Sequence, residues 1–156
     1  MLTIDVPGWK KIELQHLVLD YNGTLALDGE ILDGAVQRLQ ALSDKLKVHV
    51  LTADTFGRAE DRLADVKCAF HLIGDGDQAR AKADYTQKIG AVNAAAVGNG
   101  RNDSLMLEKA ALGLALLQEE GAALKAITAA DVVCRDINHA LDLLLHPLRL
   151  KATLRD

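Results

Sequence analysis

The sequence predicts an α/β fold, a doubly wound Rossmann-like three-layer sandwich around a mostly parallel central sheet. Three observations carry that expectation. Short apolar runs alternate with helical segments along the chain, and alternation of this kind makes a parallel sheet covered on both faces. The 156 residues are 49% apolar, enough for the core of a single domain over residues 1–156. The apolar runs stop at polar residues, namely Asp20, Thr52, Gly74-Asp75 and Asn99. Parallel sheets place their working loops at these carboxyl ends.

Leu2 to Val6 reads as a strand and Pro7-Gly8 as a turn. Leu14 to Leu19 is an apolar strand ending at Asp20. Leu25 to Leu32 holds Asp28-Gly29 between short apolar stretches, a two-residue hairpin signal; this hairpin is expected to hang over the strand ends as a flap. Asp33 to Leu46 has Val36, Leu39, Leu42 and Leu46 at helical spacing, with Asp33 placed to cap it. Val48 to Leu51 is a strand ending at Thr52, Phe56 to Val66 a helix, and Ala69 to Ile73 a strand. Ala79 to Ile89 is a helix stopped by Gly90. Ala94 to Val97 is a strand ending in Gly98-Asn99-Gly100, and Ser104 to Ala110 is a helix. Leu112 to Leu117 is a strand, Ala122 to Ala129 a helix, Asp131 to Cys134 a strand, and Ile137 to Leu145 a last helix before Pro147. No repeat, low-complexity tract or linker divides the chain.

Composition excludes several classes of function. The net charge of −4, with no basic stripe, offers nothing to nucleic acid or anionic lipid. No apolar run is long enough to span a membrane, and Met1 to Lys10 lacks the order of a signal peptide. The expectation is therefore a cytoplasmic protein with no nucleic-acid or membrane partner. Cys68 and Cys134 are far apart in the sequence and read as free thiols. Aromatic residues are only 3%, so the core must be built of Leu, Ala, Val and Ile. The five histidines have no ligand spacing and read as surface residues, and the single Trp9 is expected to pack near the first turn.

The chemistry lies at the strand ends. Asp20 follows an apolar strand, and a carboxylate fixed there can attack phosphorus and form an aspartyl-phosphate. Gly23 permits a sharp turn directly after it. Thr24 offers a hydroxyl and a nearby amide to a phosphate oxygen, and Thr52 offers a hydroxyl one strand away. Lys82, near the start of its helix, would neutralise Asp20 and the charge developing on the transferred group. Gly98-Asn99-Gly100-Arg101-Asn102-Asp103 is a tight loop of oxygen donors, which is what Mg²⁺ requires.

This order, Asp-x-x-Gly-Thr-Leu, then Thr, then Lys, then Gly-x-Gly-x-Asn-Asp, resembles the haloacid dehalogenase-like superfamily, which includes aspartyl-phosphate hydrolases and P-type ATPases. The match runs from Asp20 to Asp103, and Ala130-Asp131-Val132-Val133 before a helix extends it. Within the superfamily the chain looks most like small soluble relatives of the P-type ATPase phosphorylation domain. The resemblance implies a Mg²⁺-dependent phosphatase-like hydrolase. Asp20 would be nucleophile and Mg²⁺ ligand, and Asn22 would give its carbonyl to the metal. Gly23, Thr24, Thr52, Ala53, Lys82 and Asn102 would hold the phosphoryl group, and Asn99 and Asp103 would complete the metal site.

Two positions depart from the family pattern. Asn22 stands where family phosphatases have the aspartate that protonates the leaving group and activates water, and an amide does neither. Asn99 stands where Gly-Asp-Gly is usual, leaving Asp20 and Asp103 as the acidic side chains of the matched motifs. Low turnover is expected, and a protein that only binds a phosphorylated ligand or partner is the alternative. The gaps from Asp20 to Thr52 and from Thr52 to Lys82 leave no room for a cap domain. An open site of this kind takes a phosphorylated small molecule or macromolecule, and a second copy in a dimer or tetramer is expected to complete it. Asp54 either reaches substrate or caps a helix, Asp75 either touches the site or forms an ordinary turn, and Arg101 either meets an anion or is solvated. A response-regulator receiver domain is rejected, because it carries its acidic pair after the first strand and its phosphorylated aspartate after the third.

Overall fold

The computed structural model describes residues 1–53 and 58–156, with only the backbone of Arg58. Asp54 and residues 56–57 of the expected second helix lie outside the described residues. The chain opens with an antiparallel hairpin, β1 (Leu2–Asp5) and β2 (Lys11–Leu14). The main sheet then runs through β3 (His16–Asp20), β6 (Lys47–Thr52), β7 (Cys68–Leu72), β8 (Ala94–Gly98), β9 (Leu112–Leu116) and β10 (Val132–Cys134). Its order is β10-β9-β8-β3-β6-β7, parallel at every pairing. This is the doubly wound order, in which the chain reverses direction across the sheet on either side of β3.

Alternation along the strands fills two layers. Leu17, Leu19, Val48, Val50, Val97 and Leu114 face a core shared with α1 (Ala35–Ser43) and α6 (Ile137–Leu145). Val18, Leu51, Ala94, Ala96 and Ala115 face the other way, toward α3 (Gln78–Ile89), α4 (Ser104–Lys109) and α5 (Leu124–Ala129). A short helix, α2 (Arg58–Arg62), precedes β7. Strands covered on both faces are apolar at successive positions rather than at every second one. Asp20 shares the parity of Val18, so its carboxylate faces the α3 side.

Between β3 and α1, β4 (Ala26–Leu27) and β5 (Glu30–Ile31) form the expected flap. Asp28 and Gly29 both have positive φ, 52° and 83°, as a two-residue turn matching strand twist requires. Glu30 pairs with Arg62 on α2, which ties the flap to that helix.

Four expectations are corrected. Leu14 does not belong to the strand leading to Asp20: Gln15 separates β2 from β3, and its amide and carbonyl bond Asn93 and Lys47 instead. Asp33 does not cap α1, because Gly34, at φ 83°, occupies the cap position with no side-chain bond. Pro147 does not end the helical part of the chain. It begins α7 (Pro147–Leu154), since the first helical position needs no amide donor. His49 is not a surface residue: it is buried, bonded to His16 at 3.0 Å and to the Tyr85 hydroxyl at 2.9 Å, with His71 stacked on Tyr85. Both cysteines are free, with Cys134 buried and Cys68 partly so. No helix among the described residues is long and apolar enough to cross a membrane.

Candidate active site

Asp20 ends β3, and the chain turns at once. Gly23 takes φ 77°, and the amides of Thr24, Leu25 and Ala26 all converge on the Tyr21 carbonyl. The Thr24 hydroxyl donates to Asp20 Oδ2 at 3.2 Å. Lys82, on the second turn of α3, reaches back under the sheet. Its Nζ donates to Asp20 Oδ1 at 2.5 Å and to Asp103 Oδ1 at 2.7 Å, with 3% of the residue exposed. Burial of an ammonium requires such partners. Asp103 is fully buried and has its other oxygen filled as well: Oδ2 accepts the amides of Asn99 at 3.0 Å and Gly100 at 2.8 Å. Gly98 makes room for it, because a Cβ there would stand 2.5 Å from the Asp103 carboxyl carbon.

Two carboxylates and one ammonium share this buried space. Burial pushes the Asp20 carboxyl up to about 7, and the charge of Asp103 adds to the rise, while Lys82 and the Thr24 hydroxyl oppose it. Lys82 is itself raised: burial works against its charge, but Asp20 and Asp103 outweigh that effect.

A cavity of about 250 Å³ opens in front of this group. Asp20, Asn22, Ala53, Lys82, Asn99 and Asn102 all line it. Thr24, Thr52 and Asp103 stand behind its wall: Thr52 ends β6, buried, with its carbonyl bonded by Ile73. Asn99 gives its Nδ2 to the Gly121 carbonyl at 3.0 Å, leaving Oδ1 for a cation. Asn102 donates to Gln78 Oε1 at 2.9 Å. Asn22 and Arg101 are exposed. Asp75 is exposed and lines none of this cavity, and its neighbour Asp77 caps α3 through the Arg80 amide at 3.1 Å. No cluster of three or more His, Cys, Asp and Glu among the described residues could hold a metal ion.

Three residues absent from the sequence expectations enter the site. Gln78 and Glu120 line the cavity. Gln118 clamps the turn after Asp20, donating to the carbonyls of Gly23 at 2.6 Å and Thr24 at 2.7 Å while its Oε1 accepts the Ile137 amide at 2.9 Å. The only signal for them was position, since Gln118 and Glu120 lie in the loop directly after the fifth parallel strand.

No family model matches the chain. Two uncharacterised proteins of Methanocaldococcus jannaschii are similar in sequence. One is 56% identical over 61 residues, which are 39% of this chain and 66% of that protein, a little under two thirds of its length. The other is 44% identical over 39 residues, 25% of this chain and 89% of that protein. Among solved structures, the cobalt-bound deoxy-D-mannose-octulosonate 8-phosphate phosphatase of Haemophilus influenzae matches with a TM-score of 0.71 at 17% identity, covering 92% of this chain and 94% of that one. The Moraxella catarrhalis 3-deoxy-D-manno-octulosonate 8-phosphate phosphatase, in complex with magnesium, phosphate and its sugar, matches with a TM-score of 0.71 at 16% identity, covering 91% and 94%. The chain belongs to one family with the second of these archaeal proteins, and its fold is that of the two phosphatases.

Proposed function

We propose that the protein is a slow, Mg²⁺-dependent phosphohydrolase that passes a phosphoryl group through Asp20. The observation that carries this reading is the Lys82 ammonium bridging Asp20 and Asp103 at the mouth of the sheet. An aspartate held by a buried lysine at the end of a parallel strand, facing a cavity, is placed to attack and has its charge balanced. The solved structures of similar fold include phosphatases, which supports hydrolysis as the reaction class.

In the first step an Asp20 oxygen attacks phosphorus and the leaving group departs with the bonding electrons. Ala53, Lys82 and Asn102 line the cavity and would hold phosphoryl oxygens, with Gly23, Thr24 and Thr52 backing its wall. In the second step water cleaves the acyl phosphate. Asn22 cannot move a proton in either step, and such help is typically worth about 10²–10⁴-fold.

The donor set fits a hard divalent cation. Asp20, the Asn22 carbonyl and Asn99 Oδ1 offer oxygen, the donor type such an ion takes. A Mg²⁺ ion held by these oxygens would supply positive charge to the phosphoryl group. Asp103 supports the set from behind, fixing Lys82 and the Asn99 and Gly100 backbone. Asp20 would be the one acidic side chain among these donors, so substrate phosphate would complete the site. The substrate is a phosphorylated small molecule or macromolecule in the cytoplasm, and a second copy of the chain serves as the lid.

The test is turnover of p-nitrophenyl phosphate with Mg²⁺. Activity that disappears in Asp20→Asn is expected; activity retained by that variant refutes the reading. Asn22 and Asn99 favour a second reading, a binder of phosphorylated ligands, which is supported if the protein binds phosphate without turnover or labelling of Asp20.

A further inference from the structure

We propose that Glu120 is the general base for hydrolysis of phosphorylated Asp20, in the role that Asn22 cannot fill; the inference rests on the phosphohydrolase reading above. Glu120 lines the Asp20 cavity beside Asn22, Asn99 and Lys82. Its Oε2 lies 2.5 Å from where a Cβ on Gly23 would stand, so the carboxylate sits directly over the turn that follows Asp20. Of the carboxylates grouped here, Asp20 is the nucleophile and Asp103 has both oxygens occupied by Lys82 and two amides. Glu119 lines only the neighbouring cavity. Glu120 has no hydrogen bond or ion pair among the described residues, so both its oxygens can accept a proton.

Its loop is held against the site from three sides. Gln118 clamps the Gly23 and Thr24 carbonyls, the Gly121 carbonyl accepts from Asn99, and the Ala123 amide bonds the Asn99 carbonyl at 2.9 Å. Gly121, at φ 71°, closes this turn on the Gln118 carbonyl. These contacts hold the loop backbone, so the exposed Glu120 side chain is carried at the rim of the Asp20 cavity by a fixed support.

The step balances with water alone. A water oxygen attacks phosphorus opposite Asp20, and its proton passes to the Glu120 carboxylate. The phosphorus–oxygen bond to Asp20 breaks, its electron pair returns to the Asp20 carboxylate, and inorganic phosphate leaves. Glu120 then releases the proton to bulk water.

The experiment labels the full-length protein with radiolabelled acetyl phosphate and Mg²⁺, removes the reagent, and follows loss of acid-stable label, with Asp20→Asn as the blank. Glu120→Gln is expected to keep its label about 100-fold longer than wild type. Adding Asn22→Asp to that variant is expected to restore fast loss, a rescue that a purely structural role for Glu120 would not give. Loss of label from Glu120→Gln at the wild-type rate overturns this inference and leaves the phosphohydrolase reading intact. Absence of Asp20 label in wild type overturns that reading and the inference with it.

Discussion

Replacing Asp20 with asparagine should make the metal-free protein more stable while removing its proposed nucleophile. Asp20 is 8% exposed, and its carboxyl is pushed from 3.8 to about 7, chiefly by burial. A shift of about three units corresponds to a ceiling of roughly 4 kcal/mol, at about 1.4 kcal/mol per unit. Relaxation around a buried charge lowers such costs, and about 2 kcal/mol is the working figure. Because the folded value lies above the unfolded one, this stability is present below 3.8 and is lost as pH rises toward 7. The asparagine variant lacks that loss, so its advantage should be near zero at about pH 4 and full at about pH 8. Urea unfolding in chelator at several pH values measures it, and a gain of about 4–8 °C in melting temperature should accompany it. Mg²⁺ should narrow the gap by stabilising the wild-type native state. A variant no more stable than wild type at about pH 8, or an advantage that does not grow with pH, would refute the electrostatic account of the site.

Lys82→Met leaves two buried carboxylates without a counter-charge and should cost about 3–5 kcal/mol at about pH 8; an unchanged urea midpoint would contradict the bridging role. Gly98→Ala drives a Cβ to 2.5 Å from the Asp103 carboxyl carbon, so phosphatase activity should fall steeply, and wild-type activity would show that Asp103 need not stay where it is. Gln118→Ala removes three hydrogen bonds and exposes the Ile137 amide to an empty site, a loss of about 1–3 kcal/mol in denaturant unfolding; a neutral result would mean that water replaces the amide. His49 is lowered to about 4, first by burial and then by His16 and Lys47. Its stabilising contribution is complete above 6.5 and lost as pH falls through 4, a difference of about 1–2 kcal/mol once solvent screening is allowed for. His49→Gln should flatten that part of the acid-unfolding curve, and an unaltered curve would rule it out.

The alternation of apolar runs and helices was enough to read all six strands of the main sheet, because even the edge strand Cys68–Leu72 carries an apolar run between helices. Asp20, Lys82 and Asn99 were legible as polar residues at strand ends or near a helix start. The hairpin strand Lys11–Leu14 was missed because Leu14 abuts the next apolar run, and only the Gln15 backbone pairing separates them. The last helix was missed because Pro147 reads equally as a stop and as a first helical residue. Gln118 and Glu120 were marked only by their place after a strand end, since an amide that clamps two carbonyls 94 and 95 residues away has no local pattern. The His16–His49–Tyr85 chain was hidden for the same reason, its members coming from two strands and a helix.

The terminal hairpin has one further consequence. The lone tryptophan, Trp9, sits in its turn, packs on the main core, and carries the Lys10 ammonium 4.0 Å above its ring. The same turn meets the C-terminus, where the Asp156 amide bonds the Pro7 carbonyl and the Asp156 side chain crowds Gly8. Intrinsic tryptophan emission therefore watches the seam where the two chain ends meet, and Trp9 lines none of the Asp20 cavity. Fluorescence will follow unfolding in each variant above while staying silent to phosphate and metal, so folding and occupancy can be read separately in one cuvette.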